Sequence, residues 1–257
     1  MTRRLLSFAC EGATLVGTLD EAAGATGLLI VSGGNELRSG AWAGQAQLAA
    51  HIAAAGFPVF RFDPRGVGDS DGPNGEFETR GPDIAAALTA FRTECPHVAR
   101  VIGLGNCDAA SALMLARGAG LDGLVLANPW TIEDEAAAPP PDVLRDHYKR
   151  RLTDPASIKR LLTGGVSLGK LVASLKAALR KPPPPSSLAR RLADGIAGFS
   201  GPVRFLVAEL DRTALAFLAA WDRADERMRR CPDATHSFVE LHARAWLEQQ
   251  VIEVLRP

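Results

Sequence analysis

The stretch Val101-Ile102-Gly103-Leu104-Gly105-Asn106-Cys107-Asp108-Ala109-Ala110-Ser111 limits the possible folds of this chain more than any other part of it. An apolar strand runs through Gly105 and Asn106 to a lone cysteine, with Ala109 two residues beyond and an Ala-rich helix after it. That is the layout of a nucleophile elbow, usually G-x-S-x-G, with cysteine in place of serine and Ala109 in place of the second glycine. A tight strand-to-helix turn needs small neighbours on both sides. It lifts one side chain out of the sheet and sets the next backbone N–H beside it. A cysteine held there points to acyl chemistry through a thiolate.

The rest of the chain alternates apolar runs with helical patterns. Strands are expected at 5–8 and 14–19 as an opening antiparallel pair, then at 28–32, 57–62, 101–104, 124–127, 203–208 and 228–231. Helices are expected at 42–55, 83–91, 108–117, 215–224 and 238–255. This order predicts an α/β protein with a mostly parallel eight-stranded sheet covered by helices on both faces. The segment 130–200 lacks strand pattern and carries the stiff run Pro182-Pro183-Pro184-Pro185. It reads as a helical cap inserted after the sixth strand, between core segments 1–129 and 201–257. Its Lys/Arg-rich part, from Arg145 to Lys181, reads as a solvated helix face.

Charge balance narrows the partners. Lys plus Arg and Asp plus Glu both total 29, which argues against a nucleic-acid partner, since that needs a basic excess. No apolar run is long enough to span a membrane. The apolar run near the N-terminus is too short for a signal-peptide core, so a cytoplasmic location is expected. The four cysteines, Cys10, Cys95, Cys107 and Cys231, are scattered without metal-ligand spacing. No metal or cofactor is expected, and all but Cys107 read as small buried hydrophobes.

A nucleophile elbow needs an acid and then a histidine later in the chain. Among the five histidines, His51 and His242 fall in predicted helices, His97 lies at the wrong end of the elbow strand, and His147 lies in the cap. His236 follows the last strand in a polar loop and is the candidate base; its plainer role would be a structural hydrogen bond. Asp211 lies just past the strand 203–208 and is the candidate acid, with Glu209 as the competing carboxylate and helix capping as its plainer role. For the oxyanion hole, one backbone N–H is expected from Asp108, at a helix N-terminus. The other is expected from Asn35, in the loop Ser32-Gly33-Gly34-Asn35. The charged loop from Arg61 to Ser70 reads as structural support.

Together these features resemble the α/β-hydrolase superfamily over nearly the whole chain. Within it the chain is similar to the exosortase A system-associated hydrolase 1 family, through Gly33-Gly34, Arg38, the Arg61-to-Ser70 loop, the cysteine elbow, Asn128-Pro129-Trp130 and the basic cap with His147-Tyr148. The cysteine alone also resembles dienelactone hydrolases. The resemblance implies an α/β-hydrolase fold and a Cys107–His236–Asp211 triad acting on a small-molecule ester or thioester. It also implies a substrate pocket with Gly34, Arg38, Trp130, His147 and Tyr148, and an association with bacterial exopolysaccharide and protein-sorting loci. Acyl transfer to a sugar hydroxyl and a non-catalytic binding module on the same scaffold remain the alternatives.

Overall fold

A computed structural model describes residues 2–133 and 186–256. Eight strands are present: β1 (Arg3–Cys10), β2 (Ala13–Asp20), β3 (Thr26–Val31), β4 (Val59–Phe62), β5 (Arg100–Asn106), β6 (Gly123–Ala127), β7 (Val203–Ala208) and β8 (Met228–Cys231). They form one sheet in the order β1-β2-β4-β3-β5-β6-β7-β8. The first two pairings are antiparallel and the other five parallel. Apolar runs such as Leu28-Leu29-Ile30-Val31 are buried along their length because helices cover both faces. On edge strand β1, by contrast, burial alternates residue by residue.

Six α-helices cover the sheet among the described residues: α1 (Gly44–Ala54), α2 (Gly81–Glu94), α3 (Asp108–Leu115), α4 (Ser187–Ala197), α5 (Arg212–Ala220) and α6 (Leu241–Leu255). α1 and α6 enclose one core, around Ile52, Leu104, Val125 and Val251. α2, α3, α4 and α5 enclose the other, around Phe60, Phe91, Leu113, Leu192 and Phe217. Chain order reverses between β3 and β5, so the loops leaving those two strands part toward opposite faces. The crevice this opens beyond the strand ends is where such sheets bind ligands.

The differences from expectation have local causes. Pro58 has no N–H to give a ladder, and β4 starts at Val59. α5 starts early because Asp211 accepts from the N–H groups of Thr213 and Ala214 at 3.2 and 3.0 Å. α6 starts late because Phe238 has φ 50°, which no helix interior accepts. α4 falls within the segment expected as a cap. Its Leu188, Leu192 and Ile196 lie in the core beside α3, so this helix packs as part of the core layer. Residues 134–185 of that segment, with His147, Tyr148 and the proline run, lie outside the described residues.

Candidate active site

Cys107 sits at the turn from β5 into α3 with φ 62° and ψ −127°. A non-glycine residue in that region costs about 1–3 kcal/mol unless its surroundings enforce it. Three hydrogen bonds do so. The Cys107 N–H donates to Ala127 O at 2.9 Å, and its carbonyl accepts from the N–H groups of Trp130 at 3.2 Å and Ser111 at 3.3 Å. Gly105 is required by packing: a Cβ there would stand 2.7 Å from the α3 backbone at Ala109 and Ala110. Ala109, where glycine is usual, is fully buried in the core. Cys107 is half-buried, while Cys10, Cys95 and Cys231 are buried. Burial pushes those three thiols up, away from the reactive thiolate.

His236 comes from the loop after β8, and Asp211 from the end of β7. The His236 Nδ1 lies 2.9 Å from Asp211 Oδ2, and Asp211 is 7% exposed. His236 and Cys107 line the same groove. The Asp211 bond, then the neighbouring Cys107 side chain, hold the imidazolium form and push its pKa up to about 10. Asp211, rather than Glu209, takes the carboxylate position, and it caps α5 as well.

The glycine loop after β3 presses against the start of α3. A Cβ on Gly33 would lie 2.3 Å from Asp108 Oδ1. The Gly34 N–H donates to both Asp108 carboxylate oxygens, at 2.9 and 2.8 Å. The N–H groups of Asn35 and Asp108 have no acceptor among the described residues. Arg38, expected in the substrate pocket, is engaged elsewhere. Its guanidinium binds Asp63, Asp69 at 3.0 Å and Thr18 at 3.0 Å, and it does not line the groove. Two buried or charged acceptors outcompete a site open to water.

Cys107, His236, Gly34, Asn35, Asp108 and Trp130 line one groove of about 1000 Å³. Its rim includes Ile132, Glu133 and Leu188, where the two described ends around 134–185 meet. Glu133 accepts from the N–H groups of Ser187 and Leu188 at 3.3 and 2.6 Å, and Ser186 Oγ donates to Thr131 O at 3.2 Å.

A family model described as the alpha/beta hydrolase family matches residues 28–249. The chain belongs to this family. Several solved alpha/beta hydrolases and esterases share the fold. The Pyrococcus furiosus esterase Pf2001 is 14% identical, with 99% of this chain and 92% of that one covered and a TM-score of 0.65. The alpha/beta hydrolase GrgF from Penicillium sp. sh18 is 17% identical, with coverages of 100% and 98% and a TM-score of 0.66. Est1E from Butyrivibrio proteoclasticus, solved with ferulic acid bound, is 15% identical, with coverages of 98% and 100% and a TM-score of 0.61. No curated protein matches the chain in sequence.

Two residues that order this alpha/beta hydrolase site carried no role in the sequence reading. Asn128, buried at φ 44°, joins three strand ends and the histidine loop. Its N–H donates to Leu206 O at 2.8 Å and its Oδ1 accepts from Ala208 N at 2.8 Å. Its Nδ2 donates to Asn106 Oδ1 at 3.0 Å and to His236 O at 3.2 Å. Arg80, 4% exposed, donates to Ser32 O at 2.8 Å and to Gly34 O, tying α2 to the glycine loop. An arginine buried at the start of a helix leaves no periodic signal. Asn128-Pro129-Trp130 stood out only as a motif of the family resemblance, which gives the Asn128 side chain no role.

Proposed function

We propose that this alpha/beta hydrolase cleaves small-molecule esters or thioesters through Cys107, His236 and Asp211. The observation that carries this reading is the imidazole of His236 bonded to the buried Asp211 and facing the same groove as Cys107. His236 takes the proton of the Cys107 thiol as the sulfur attacks, with the charge held by Asp211. The thiolate attacks the carbonyl carbon, forming the C–S bond. The oxyanion is received by the N–H groups of Asn35 and Asp108, which have no other acceptor among the described residues. Collapse breaks the bond to the leaving oxygen or sulfur, which takes the proton from His236. The now neutral His236 accepts a proton from water as that water attacks the thioester. The C–S bond breaks, and His236 returns the proton to the sulfur. Asp211 keeps the imidazole in the required tautomer throughout.

A thiolate is also a good leaving group, so esters and thioesters suit this site better than amides. If an alcohol, such as a sugar hydroxyl, replaces water in the second half, the same site is an acyltransferase. The assembled contacts favour catalysis over a non-catalytic binding module. The reading keeps a cap over the groove from the segment 130–200 without α4, which packs in the core, and is supported by the meeting of the described ends at the rim. A reducing, cytoplasmic setting suits the free thiols. The link to exosortase-associated loci rests on the motifs Asn128-Pro129-Trp130 and the cysteine elbow.

The test is incubation with a p-nitrophenyl ester followed by intact-mass measurement. An acyl adduct that is absent from Cys107→Ala, together with loss of turnover in that variant, is expected. Equal turnover by Cys107→Ala would end the proposal. Product analysis with an added alcohol separates hydrolysis from transfer.

A further inference from the structure

A second cavity, of about 110 Å³, lies under the seam between α1 and α6, on the sheet face away from α3. Its floor is Ile30, Leu104 and Ala127, and its walls are Leu48 and Leu247. The outer end is lined by the Arg244 guanidinium, 4.0 Å over the Trp42 ring, and by a His51–Glu248 contact of 2.9 Å. Glu36, Asn106 and Ser237 line both this cavity and the Cys107 groove, so the two are neighbours there.

Asn106 and Glu36 at that junction already have protein partners. Asn106 donates to His236 O at 3.2 Å and accepts from Asn128 at 3.0 Å. Glu36 accepts from Ala41 N at 2.8 Å and Gln45 Nε2 at 2.9 Å. Water needs two to four polar partners to stay in a cavity, and the apolar floor and walls supply none. A hydrocarbon chain fits this chemistry better than water or a polar group.

Building on the catalytic reading above, we propose that this cavity takes the acyl chain of the substrate, entering past Asn106 and Ser237 from a carbonyl held at Cys107. An apolar cavity of roughly 150 Å³ holds a six-carbon ring. By that scale this one holds about four carbons, which sets short straight-chain acyl groups as the substrate class. A longer chain runs against the Trp42–Arg244 pair at the outer end.

The experiment compares p-nitrophenyl acetate, butyrate and octanoate on the wild type, Leu48→Phe and Leu247→Phe. Burial gives roughly fourfold per methylene, so butyrate is expected to exceed acetate in kcat/KM by roughly 15-fold, with octanoate below butyrate. Each Phe substitution fills the cavity from a different helix and is expected to bring the butyrate/acetate ratio down about tenfold. A ratio unchanged in both variants overturns the cavity and leaves the catalytic reading intact. Alkyl methanethiosulfonates test the cavity without ester turnover. There the Cys107 thiolate attacks the sulfenyl sulfur, an S–S bond forms and methanesulfinate leaves. Faster labelling by the butyl than by the methyl reagent, lost in Leu48→Phe, supports the cavity even if no ester is cleaved. Equal butyl and methyl rates overturn it.

Discussion

At the residue scale the decisive feature is the proton on His236. In the unfolded chain the group titrates near 6.5, and in the folded protein near 10. A raised folded pKa stabilises the fold fully below about pH 6.5. That contribution declines as pH rises and is gone above about 10. Asp211→Asn keeps an oxygen to cap α5 but removes the charge that holds the imidazolium. The stability difference between wild type and Asp211→Asn, measured by urea denaturation, is therefore expected to shrink from pH 6.5 to 10. The same substitution is expected to lower kcat by about 10²–10⁴-fold. A stability difference that stays flat across this window would show that the pair does not form. The placement of Cys107, Asp211 and His236 at successive strand ends was legible in the sequence because each follows an apolar run in chain order. The bracing role of Asn128 was not, because its four bonds go to residues 22 to 108 positions away.

At the element scale, α4 shows how an amphipathic helix finds its layer. Ser186 Oγ caps it, accepting from Ala189 N at 3.0 Å, and Glu133 accepts from its first N–H groups. Leu188, Leu192 and Ile196 then lie on one face and are 3% exposed or less. Leu192→Ala is expected to cost about 2–5 kcal/mol in chemical denaturation, as a cavity in the main core. A cost under about 1 kcal/mol would mean that α4 rests on the core without being part of it. The spacing of its leucines was readable in the sequence. Its seat on α3 was not, because an apolar stripe does not name its partner. Strands were readable throughout, with the limits of β7 and β8 matched and those of β3, β4 and β5 off by one or two residues; α5 and α6 shifted because a cap and a left-handed Phe238 act locally.

At the scale of the whole molecule, the charged loop after β4 ties distant parts of the chain together. Asp63, fully buried, accepts from the Arg38 N–H at 2.6 Å and pairs with its guanidinium. Arg61 donates to Arg38 O at 2.6 Å and pairs with Asp20. Arg65 pairs with Asp83 of α2 and with Glu11 of the β1–β2 turn. The glycine loop of the site is thus braced by the same network as the opening hairpin. Asp63→Ala leaves Arg38 without its buried partner and is expected to destabilise by about 3–5 kcal/mol. Arg38→Met on that background is expected to recover part of the loss, as measured in a double-mutant cycle by urea denaturation. Additive losses would show that the two side chains do not act on each other.

The sequence by itself determined the sheet, the elbow and the order in which Cys107, Asp211 and His236 follow the strand ends. These depend on apolar periodicity, small residues at a tight turn, and loops at strand ends, all of them local or ordered along the chain. Only the tertiary structure decided that Arg38 turns to Asp63, that Asp108 holds the Gly34 N–H, and that Arg80 and Asn128 brace the site. Those outcomes depend on which charges and amides compete for the same donors once strands far apart in sequence lie side by side. The cavity under α1 and α6 belongs with them, because empty space arises between elements and is carried by no single segment.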